Sequence, residues 1–392
     1  MTTIDELLTR GVAEVLVEAN VRRKLEAGQK LRLKLGIDPT RPSIHIGHAV
    51  ALRKLRAFQE LGHTVVLIVG DWTAQIGDPS GRDESRPRLS AEETSANAQE
   101  FMKQFFKIVD RDRTEIRLQS EWFGDFKLEQ AFDLMGRFTM AQMLSHETFR
   151  NRYEAGQPLT ILELMYPMLQ AYDSVAIKSD LEFGGTDQKF NILAGRQLME
   201  QLGMVPQDIL LVPLIAGTDG RKMSKSFNNS VDLLMPPEEK YGKLMSMTDD
   251  VMPLYYEVWT DTPMAEVAEI KAAMQAGSIN PRDLKMRLAR DIVAQIDGAA
   301  AAAAAEAEFV RVFQQRDLPT DMPEHRLAAA TGIVDLLVGT SLAPSKGEAR
   351  RLIAGGGVRV DSEKIDSVDF TLQPGGEHIV QVGRRKFIKL VS

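Results

Sequence analysis

A strand–helix–strand pattern at residues 31–69 limits the fold of this chain more than any other feature of its sequence. Leu31–Ile37 alternates apolar and polar residues with the period of a β-strand. A helix is predicted over about Ile46–Leu61, and Thr64–Val69 is a continuous apolar run, typical of a buried parallel strand. Together they predict a βαβ unit, and hence an open α/β sheet that binds ligands at the carboxyl ends of its strands.

Other segments extend this architecture and then change its character. Further strands are predicted at Glu115–Gln119, Leu181–Phe183 and Ile209–Ile215. After about Leu233 the pattern becomes helical, and Asn280-Pro281 has the cap and first-turn proline of a helix start.

Length and composition exclude several classes of protein. The chain has 392 residues, too many for one ordinary domain, and fits two or three. It has no Cys, which excludes a disulfide scaffold and favours a reducing compartment. The acidic N-terminal residues do not resemble a signal peptide, and no run of about 18 apolar residues predicts a membrane span. We therefore expect a cytoplasmic protein.

Charge is unevenly distributed along the chain. The net charge of −7 disfavours nucleic-acid binding over the whole surface. Residues 341–392 carry nine Lys or Arg and six Asp or Glu, so this segment is basic and the remainder acidic. A helix is predicted at 345–353, and short strands at 358–360 and 384–389. One basic face for a phosphate backbone is predicted from Lys346, Arg350, Arg351 and Arg359. The alternative is an ordinary solvated surface.

Two short runs have the residue types for phosphate chemistry. They are His-Ile-Gly-His at 45–48, at the first predicted crossover, and Lys-Met-Ser-Lys-Ser at 222–226. In-line displacement at phosphorus needs positioning and stabilisation of developing negative charge, which imidazoles at a helix start and loop lysines supply. Taken singly, each run has a plainer interpretation, as part of a metal site or as a solvated loop. With six His and no Cys, ligands for a closed zinc site are scarce, and we predict no metal site.

A polar helix face is predicted from Tyr166, Gln170 and Asp173, because their i, i+4, i+7 spacing places them on one side. Pro167 is acceptable there as a first-turn residue. A phenol, an amide and a carboxylate suit a ligand with an ammonium at one end and a hydroxyl at the other. The alternative is that the three polar groups satisfy one another near a helix start.

Two glycine-containing turns complete the predicted site. The run 184–188 (Gly-Gly-Thr-Asp-Gln) follows a strand, and its glycines allow close backbone approach, while Asp187 can accept from ribose hydroxyls. The run 77–82 is a tight turn after the second strand of the βαβ unit, with Asp78 placed to face the cleft. A lone Gly-Asp-Pro is usually only a turn.

Together and in this order, the motifs indicate an enzyme that activates a carboxylic acid by attack on the α-phosphate of ATP. They resemble the class I aminoacyl-tRNA synthetases, and within them the bacterial tyrosyl-tRNA synthetases, over essentially the whole chain. The segment 36–40 (Gly-Ile-Asp-Pro-Thr) leading into the His pair also carries the resemblance. It implies an α/β fold: a Rossmann-like parallel-sheet catalytic domain, then an α-helical domain and a small α+β, S-four-like RNA-binding domain.

The resemblance divides the chain into four parts. Residues 1–220 are the expected catalytic domain, and 221–318 hold the lysine loop and a helical anticodon-binding domain. A linker is expected at 319–332 and the RNA-binding domain at 333–392. The implied activity is that of a tyrosine–tRNA ligase, which forms tyrosyl-adenylate and pyrophosphate and then transfers tyrosine to the 3′ end of tRNA(Tyr).

For tyrosine, the resemblance implies that Asp173 accepts the phenolic hydroxyl. The ammonium group is expected at Tyr166, Gln170 and Asp78, and Gln188 lies beside the reacting carboxylate.

For ATP, the resemblance implies phosphate contacts from Thr40, His45 and His48. The lysines expected to close over pyrophosphate are Lys222 and Lys225. The residues expected to line the nucleotide side are Gly36, Asp38, Gly47, Gly185 and Asp187, with Asp187 on the ribose.

The implied partners are L-tyrosine, ATP with Mg²⁺, tRNA(Tyr) and a second copy of the chain, with no membrane. The Met- and Phe-rich segment Phe132–Phe149 is interpreted as core, with a helical subunit interface as the alternative.

The chain departs from the family pattern in two places. Many tyrosyl enzymes have a tyrosine where this chain has Lys34, and it shares the phenol contact with the aspartate. Many also have Phe-Gly where this chain has Met223-Ser224. The second partner of the substrate hydroxyl is therefore unassigned.

Two other identities compete with this interpretation. A tryptophanyl enzyme shares the catalytic core, but an indole offers only a donor nitrogen and that family lacks the C-terminal module. A non-catalytic RNA-binding paralogue would be expected to lose His45, His48 or Lys225, and all three are present.

Overall fold

The computed structural model describes residues 3–40, 43–78, 90–224, 227–313, 322–327, 329–383 and 386–391. The chain divides into two compact units, Met1–Ala303 and Ala304–Ser392. Within the described ranges, no helix combines the length and apolar character needed to cross a membrane.

The first unit is built on a six-stranded sheet. Its strands are β1 (Glu14–Leu16), β2 (Arg32–Ile37), β3 (Thr64–Val69), β4 (Thr114–Leu118), β5 (Leu181–Gly185) and β6 (Asp208–Val212). Their spatial order is β1-β6-β5-β2-β3-β4, and all neighbours are parallel except β1, which runs antiparallel to β6. The chain passes outward from β2 through β3 to β4 and returns to place β5 on the other side of β2. The direction of winding therefore reverses between β2 and β5, which opens a crevice at their carboxyl ends.

Helices flank this sheet and continue beyond it. They are α1 (Ile4–Thr9), α2 (Glu18–Glu26), α3 (Ile46–Glu60), α4 (Thr73–Ile76), α5 (Ala91–Phe105), α6 (Ser120–Phe123), α7 (Leu128–Gly136), α8 (Met140–Met143), α9 (Glu147–Glu154), α10 (Ile161–Ile177), α11 (Lys189–Gln201), α12 (Pro237–Met245), α13 (Met252–Trp259), α14 (Met264–Gln275), α15 (Pro281–Asp297) and α16 (Ala299–Phe313). α3 contacts β3 and β5, and α11 contacts β5 and β6. Because helices cover them, β3 and β6 are buried along nearly their whole length. The prediction of a parallel α/β sheet followed by helices is confirmed.

The start of α10 differs from the sequence prediction. Thr160 caps the helix: its Oγ1 accepts from the Glu163 backbone N–H at 3.2 Å, and the Glu163 carboxylate accepts from the Thr160 backbone N–H at 2.9 Å. This capping box starts the helix at Ile161, so the placement of Pro167 in the first turn is wrong. Pro167 lies inside the helix, where it has no N–H to donate to the Glu163 carbonyl.

The Met- and Phe-rich segment is only partly core. Phe138, Met143 and Phe149 are buried in a cluster with residues of α10 and α11. Phe132 and Met140 are 60% and 53% exposed.

The second unit has its own sheet and core. Its helices are α17 (Ile333–Gly339) and α18 (Lys346–Ala354), and its strands are β7 (Glu324–Arg326), β8 (Thr331–Gly332), β9 (Val358–Val360), β10 (Glu363–Lys364), β11 (Thr371–Leu372), β12 (His378–Val382) and β13 (Lys386–Val391). Five strands form a sheet in the order β10-β9-β12-β13-β7, and β8 pairs with β11. The buried core of this unit draws on both helices and on β9, β11, β12 and β13.

The range 319–332, predicted to be a linker, contains β7 and β8. Glu324, His325 and Arg326 pair in parallel with Lys389, Leu390 and Val391 of β13. The linker prediction is therefore wrong for these residues, because their backbone groups complete the edge of the C-terminal sheet; residues 319–321 and 328 lie outside the described part of the chain.

Candidate active site

A cleft of about 650 Å³ opens where the winding of the sheet reverses, at the carboxyl ends of β2 and β5. It collects the predicted tyrosine and ATP residues that the structure describes. They are Gly36, Asp38, Thr40, His45, Gly47, His48, Asp78, Tyr166, Gln170, Asp173, Gly185, Asp187, Gln188 and Lys222. Lys225, the other predicted catalytic lysine, lies outside the described residues.

The His pair opens α3. His45 is the N-cap residue, and its Nδ1 accepts from the His48 backbone N–H at 3.4 Å. The two rings stack with centroids 3.7 Å apart. The backbone on either side of His45 is held by the segment after the lysine loop, since Ile46 N–H donates to the Val231 carbonyl at 2.9 Å. Two imidazoles at a helix N-terminus form a site that favours anions.

Gly47 lies against both motifs. A Cβ at this position would be 3.0 Å from His45 Nδ1 and 3.2 Å from Met223 Sδ. A side chain here would therefore displace the His45 ring or the lysine loop.

Tyr166 and Asp38 join α10 to the end of β2. The Tyr166 hydroxyl donates to Asp38 Oδ2 at 2.9 Å, and the Thr73 hydroxyl lies 2.6 Å from Asp38 Oδ1. Burial raises the pKa of Asp38 to about 7, and the neighbouring Asp78 carboxylate acts in the same direction. The contact places Asp38 beside the residues predicted to hold the ammonium group; its role on the nucleotide side stays a prediction.

Asp173 lies deeper in the cleft and is 2% exposed. Its carboxylate accepts from Gln119 Nε2 at 2.8 Å and from Trp122 Nε1 at 3.1 Å. Burial raises the pKa of Asp173 to about 7, while Lys34 and the two donors lower it. Sequence analysis missed Gln119 and Trp122, although Gln119 stands at the carboxyl end of a predicted strand, where ligand-binding residues are expected.

Lys34 does not line the cleft. Its side chain is fully buried and its Nζ lies 2.9 Å from Glu182 Oε1. The same ammonium donates to the Gln170 carbonyl at 2.9 Å and to Ser174 Oγ at 2.7 Å. Lys34 therefore supports α10 from beneath.

Asp78 and Gln188 meet across the mouth of the cleft, where Gln188 Nε2 donates to Asp78 Oδ2 at 2.7 Å. Gly185 leaves no room for a side chain, because a Cβ would lie 2.5 Å from Asp187 Oδ1. The two predicted turns thus face the same space.

Asn229 organises the lysine loop, and sequence analysis missed it. Its Oδ1 accepts from the Ser224 backbone N–H at 2.8 Å, and its Nδ2 donates to Asp219 Oδ1 at 2.7 Å and to the Lys222 carbonyl at 3.1 Å. Asn229 is 2% exposed. These bonds fix the backbone around Lys222.

The predicted basic face lies in the second unit. All four of its residues are exposed: Lys346, Arg350, Arg351 and Arg359. Lys346 Nζ lies 2.7 Å from Asp335 Oδ1, Arg351 pairs with Glu348, and Arg359 Nη1 donates to the Ser362 carbonyl at 2.9 Å. Exposed pairs of this kind are weak, so the cations stay available to a polyanion.

Comparison with protein families places both units. A model of the class I tRNA synthetases for tryptophan and tyrosine matches residues 26–314. A model of the C-terminal domain of tyrosine–tRNA ligases matches residues 314–388.

Individual relatives agree with these models. A tyrosine–tRNA ligase of Dehalococcoides mccartyi is 53% identical over 391 residues, covering 99% of this chain and 98% of that protein. A tyrosine–tRNA ligase of Thermotoga maritima is 47% identical over 386 residues, covering 98% of this chain and 96% of that protein. The crystal structure of a C-terminally truncated Aspergillus nidulans mitochondrial tyrosyl-tRNA synthetase has the same fold, with a TM-score of 0.66 and 22% identity; the match covers 79% of this chain and 94% of that one.

The sheet, the His pair and the lysine loop are those of a class I tRNA synthetase. The chain belongs to the tyrosine–tRNA ligase family of that class.

Proposed function

We propose that this chain activates L-tyrosine with ATP and transfers it to tRNA(Tyr), with the residues of the cleft in the roles given below. One observation carries the assignment of roles. A single cleft brings together a His pair at a helix start, the first lysine of the loop and a buried carboxylate flanked by hydrogen-bond donors.

The tyrosine end of the cleft is acidic. Asp173 Oδ1 and Oδ2 each have a donor from the protein, and a carboxylate has further lone pairs for a phenolic hydroxyl. Within the described residues, Gln170 Oε1 is buried and has no hydrogen-bond partner. An ammonium group supplies the donor that this orphaned acceptor needs, and Tyr166 and Asp78 complete its site.

The reaction itself needs no strong base. The tyrosine carboxylate is already ionised, and Gln188 lies where it orients this group for attack on the α-phosphate. The P–O bond to pyrophosphate breaks as the new carboxyl–phosphate bond forms. His45, His48 and Thr40 stabilise the charge that develops on the phosphates, and Lys222 and Lys225 draw off pyrophosphate.

The nucleotide side of the site is formed by the remaining predicted residues. Gly36, Gly47 and Gly185 let the nucleotide approach the backbone closely, and Asp187 accepts from the ribose hydroxyls. Asp38 links this side to the ammonium site through Tyr166.

Mg²⁺ enters with ATP in this proposal. The described residues contain no group of three or more His, Cys, Asp or Glu arranged to hold a metal ion. Mg²⁺ commonly binds through substrate phosphates and keeps several waters, so the chain needs no metal cage of its own. When bound, the ion neutralises phosphate charge.

The tRNA is expected to contact the basic face of the second unit and the helices after β6. In this proposal the catalytic part is 1–220, the lysine loop and anticodon-binding part is 221–318, and the RNA-binding part is 333–392. The reaction takes place in the cytoplasm. A homodimer is also proposed. Its support is a set of large apolar side chains that are more than half exposed: Leu128, Phe132, Met140, Tyr153 and Ile161.

Charging of tRNA tests this function. The full chain would be incubated with ATP, Mg²⁺, labelled tyrosine and transcripts of tRNA(Tyr) or tRNA(Trp). We expect tyrosine to be esterified to the 3′ end of tRNA(Tyr) and not to tRNA(Trp). Binding of tRNA(Tyr) without charging would contradict the proposal and identify a non-catalytic RNA-binding protein.

A further inference from the structure

A buried charge network lies directly beneath the tyrosine end of the cleft. Lys34 and Glu182 are 0% and 1% exposed at their side chains and form an ion pair of 2.9 Å between β2 and β5. Ser174 Oγ donates to Glu182 Oε2 at 3.2 Å, and Gln207 Nε2 donates to the same oxygen. Removing two charges from water is unfavourable, and their mutual attraction together with further hydrogen bonds at best offsets this cost. A buried ion pair is therefore a weak source of stability.

The bonds of Lys34 converge on one turn of α10. Its ammonium donates to the Gln170 carbonyl and to Ser174 Oγ, which belong to residues on either side of Asp173. Gln170, Asp173 and Glu182 line the cleft, whereas Lys34 does not. The cation is therefore placed where it acts on substrate-binding groups without touching substrate.

We propose that Lys34 is a specificity-determining positioning residue, which holds the turn of α10 from Gln170 to Ser174 and so places its ammonium group behind Asp173, the acceptor of the tyrosine hydroxyl. This inference rests on the proposed function.

The chemistry of phenol recognition explains why the ionisation of Asp173 matters. An ionised carboxylate only accepts, so a substrate without a hydroxyl leaves it with an unsatisfied buried oxygen. A protonated carboxyl carries a donor of its own and discriminates less against phenylalanine. Holding the charge is thus part of selecting tyrosine.

The groups around Asp173 act in opposite directions. Burial raises the pKa of Asp173, Lys34 lowers it, and Glu182 raises it. The neutral donors Gln119 and Trp122 also lower it. From its own helix it faces Tyr166, whose hydroxyl is bound to Asp38 and whose neighbours include Asp78.

Removing the charge of Lys34 and removing the charge of Glu182 should shift the pH profile of kcat/KM in opposite directions. If binding of tyrosine requires ionised Asp173, kcat/KM for tyrosine should fall as the pH falls through the pKa of Asp173. The pH dependence of kcat/KM reports this pKa in the free enzyme. Removing the cation moves this loss to higher pH, and removing only the Glu182 charge moves it to lower pH.

The test is the pH profile of kcat/KM for tyrosine in ATP–pyrophosphate exchange, from pH 5.5 to 8.5. The variants are Lys34→Met with Glu182→Gln, which leaves no buried unpaired charge, and Glu182→Gln alone, whose amide oxygen still accepts from Lys34. At pH 7 we expect the double variant to lose up to about fivefold in kcat/KM for tyrosine, because the lowering of the Asp173 pKa by Lys34 exceeds the opposing effect of Glu182 and its loss moves the profile to higher pH by up to about one unit. Glu182→Gln should move the profile to lower pH, and KM for ATP should stay constant in both.

Lys24→Met is the matched control. Lys24 also forms a buried ion pair, at 2.9 Å with Asp208, but at the amino end of β6 and away from the cleft. It should lower thermal stability and leave the pH profile in place.

Each outcome decides the matter. The role of Lys34 would be overturned if the pH profiles of wild type and Glu182→Gln were superimposable, or if Lys24→Met shifted the profile as much as the double variant. In either case, tyrosine-dependent exchange by the wild type would still support the proposed function. If the double variant does not fold, the direction of the Glu182→Gln shift decides alone. Absence of exchange in the wild type would overturn the proposed function, and the role of Lys34 with it.

Discussion

The orientation of the Asp173 carboxylate depends on side chains that belong to none of the sequence motifs described above. Gln119 is fixed by Thr73, whose backbone N–H donates to Gln119 Oε1 at 2.9 Å. That bond orients the amide so that its NH₂ group faces the Asp173 carboxylate. The carboxylate is thus held in place by a residue 54 positions away in the chain.

Replacing Gln119 with Leu tests this arrangement. The change removes a donor to a buried carboxylate and leaves the Thr73 N–H without its partner. Because hydrogen bonds to charged groups contribute about 1.5–3 kcal/mol, KM for tyrosine should rise roughly tenfold to a hundredfold, with KM for ATP unchanged. Pyrophosphate exchange measures both constants.

The control for this variant is Gln59→Leu. Gln59 is also fully buried, and it bonds backbone groups near residues 110 and 113, away from the cleft. An unchanged KM for tyrosine in Gln119→Leu, or an equal rise in both variants, would count against the role of Gln119.

The cleft residues that share one face of α10 could be predicted, whereas the side chains that support them could not. Tyr166, Gln170 and Asp173 were found because a helical spacing aligns polar groups that have no structural reason to be aligned. Gln119 and Lys34 lie 54 and 140 positions from their partners Asp173 and Ser174. Only the tertiary packing of α10 brings such distant residues together.

At the scale of elements, the conformation of the lysine loop is fixed by hydrogen bonds to its backbone. Asn229 bonds both sides of the loop, and a Cβ at Gly217 would lie 2.4 Å from the Asn229 side chain. Hydrogen bonds from Asn229 and Arg221 lower the pKa of Asp219 to about 2, so Asp219 stays charged as an anchor. The position of Lys222 is therefore set by neighbouring uncharged and acidic groups.

Asn229→Ala should affect turnover more than binding. Without its anchor the loop no longer holds Lys222 in place, and misplacement of a charge-stabilising group by about 1 Å costs as much as a hundredfold in rate. We expect kcat for exchange to fall about tenfold to a hundredfold, with KM for tyrosine within about twofold of wild type. Asn228→Gly, which keeps the positive φ of 52° at the adjacent position, serves as the control. A fall in kcat shared by both variants would point to general loosening of the segment.

Element boundaries show where local sequence signals fail. The start of α3 was predictable because His45 precedes an apolar periodic run and Gly62 ends it with a φ of +89°. The start of α10 differs from the prediction because the Thr160–Glu163 capping box, and not Pro167, sets the first turn of this helix. β7 was missed because three residues without apolar periodicity form a strand only when β13 is present to pair with them.

At the scale of the whole molecule, charge is unevenly distributed between the C-terminal segment and the rest of the chain. The chain carries a net charge of −7, yet its last 52 residues, 341–392, are basic. A basic module suits a phosphate backbone. The structure divides into two compact units, and the position of the boundary between them depends on tertiary packing that no local pattern records. The three predicted domains stay a prediction.

Neutralising the basic face should separate tRNA charging from adenylate formation. In a variant with Ala at Lys346, Arg350, Arg351 and Arg359, KM for tRNA should rise, and pyrophosphate exchange should stay at the wild-type rate. The dependence of log affinity on log salt should flatten by roughly 0.7–0.9 for each phosphate that the variant no longer neutralises. Lys103→Ala, an exposed lysine in the first unit, should change neither. Charging kinetics and salt dependence unchanged in the four-site variant would exclude this face from tRNA binding.

The most direct measurement is ATP–pyrophosphate exchange without tRNA, comparing tyrosine, phenylalanine and tryptophan in the wild type and in Asp173→Ala. The wild type should exchange with tyrosine and reject phenylalanine by roughly 10⁴–10⁵, a range established on a tyrosyl-tRNA synthetase and taken over from it. Asp173→Ala should lose most of that preference. Exchange with tryptophan by the wild type, or a tyrosine preference that survives Asp173→Ala, would contradict the assignment of Asp173 as the acceptor of the substrate hydroxyl.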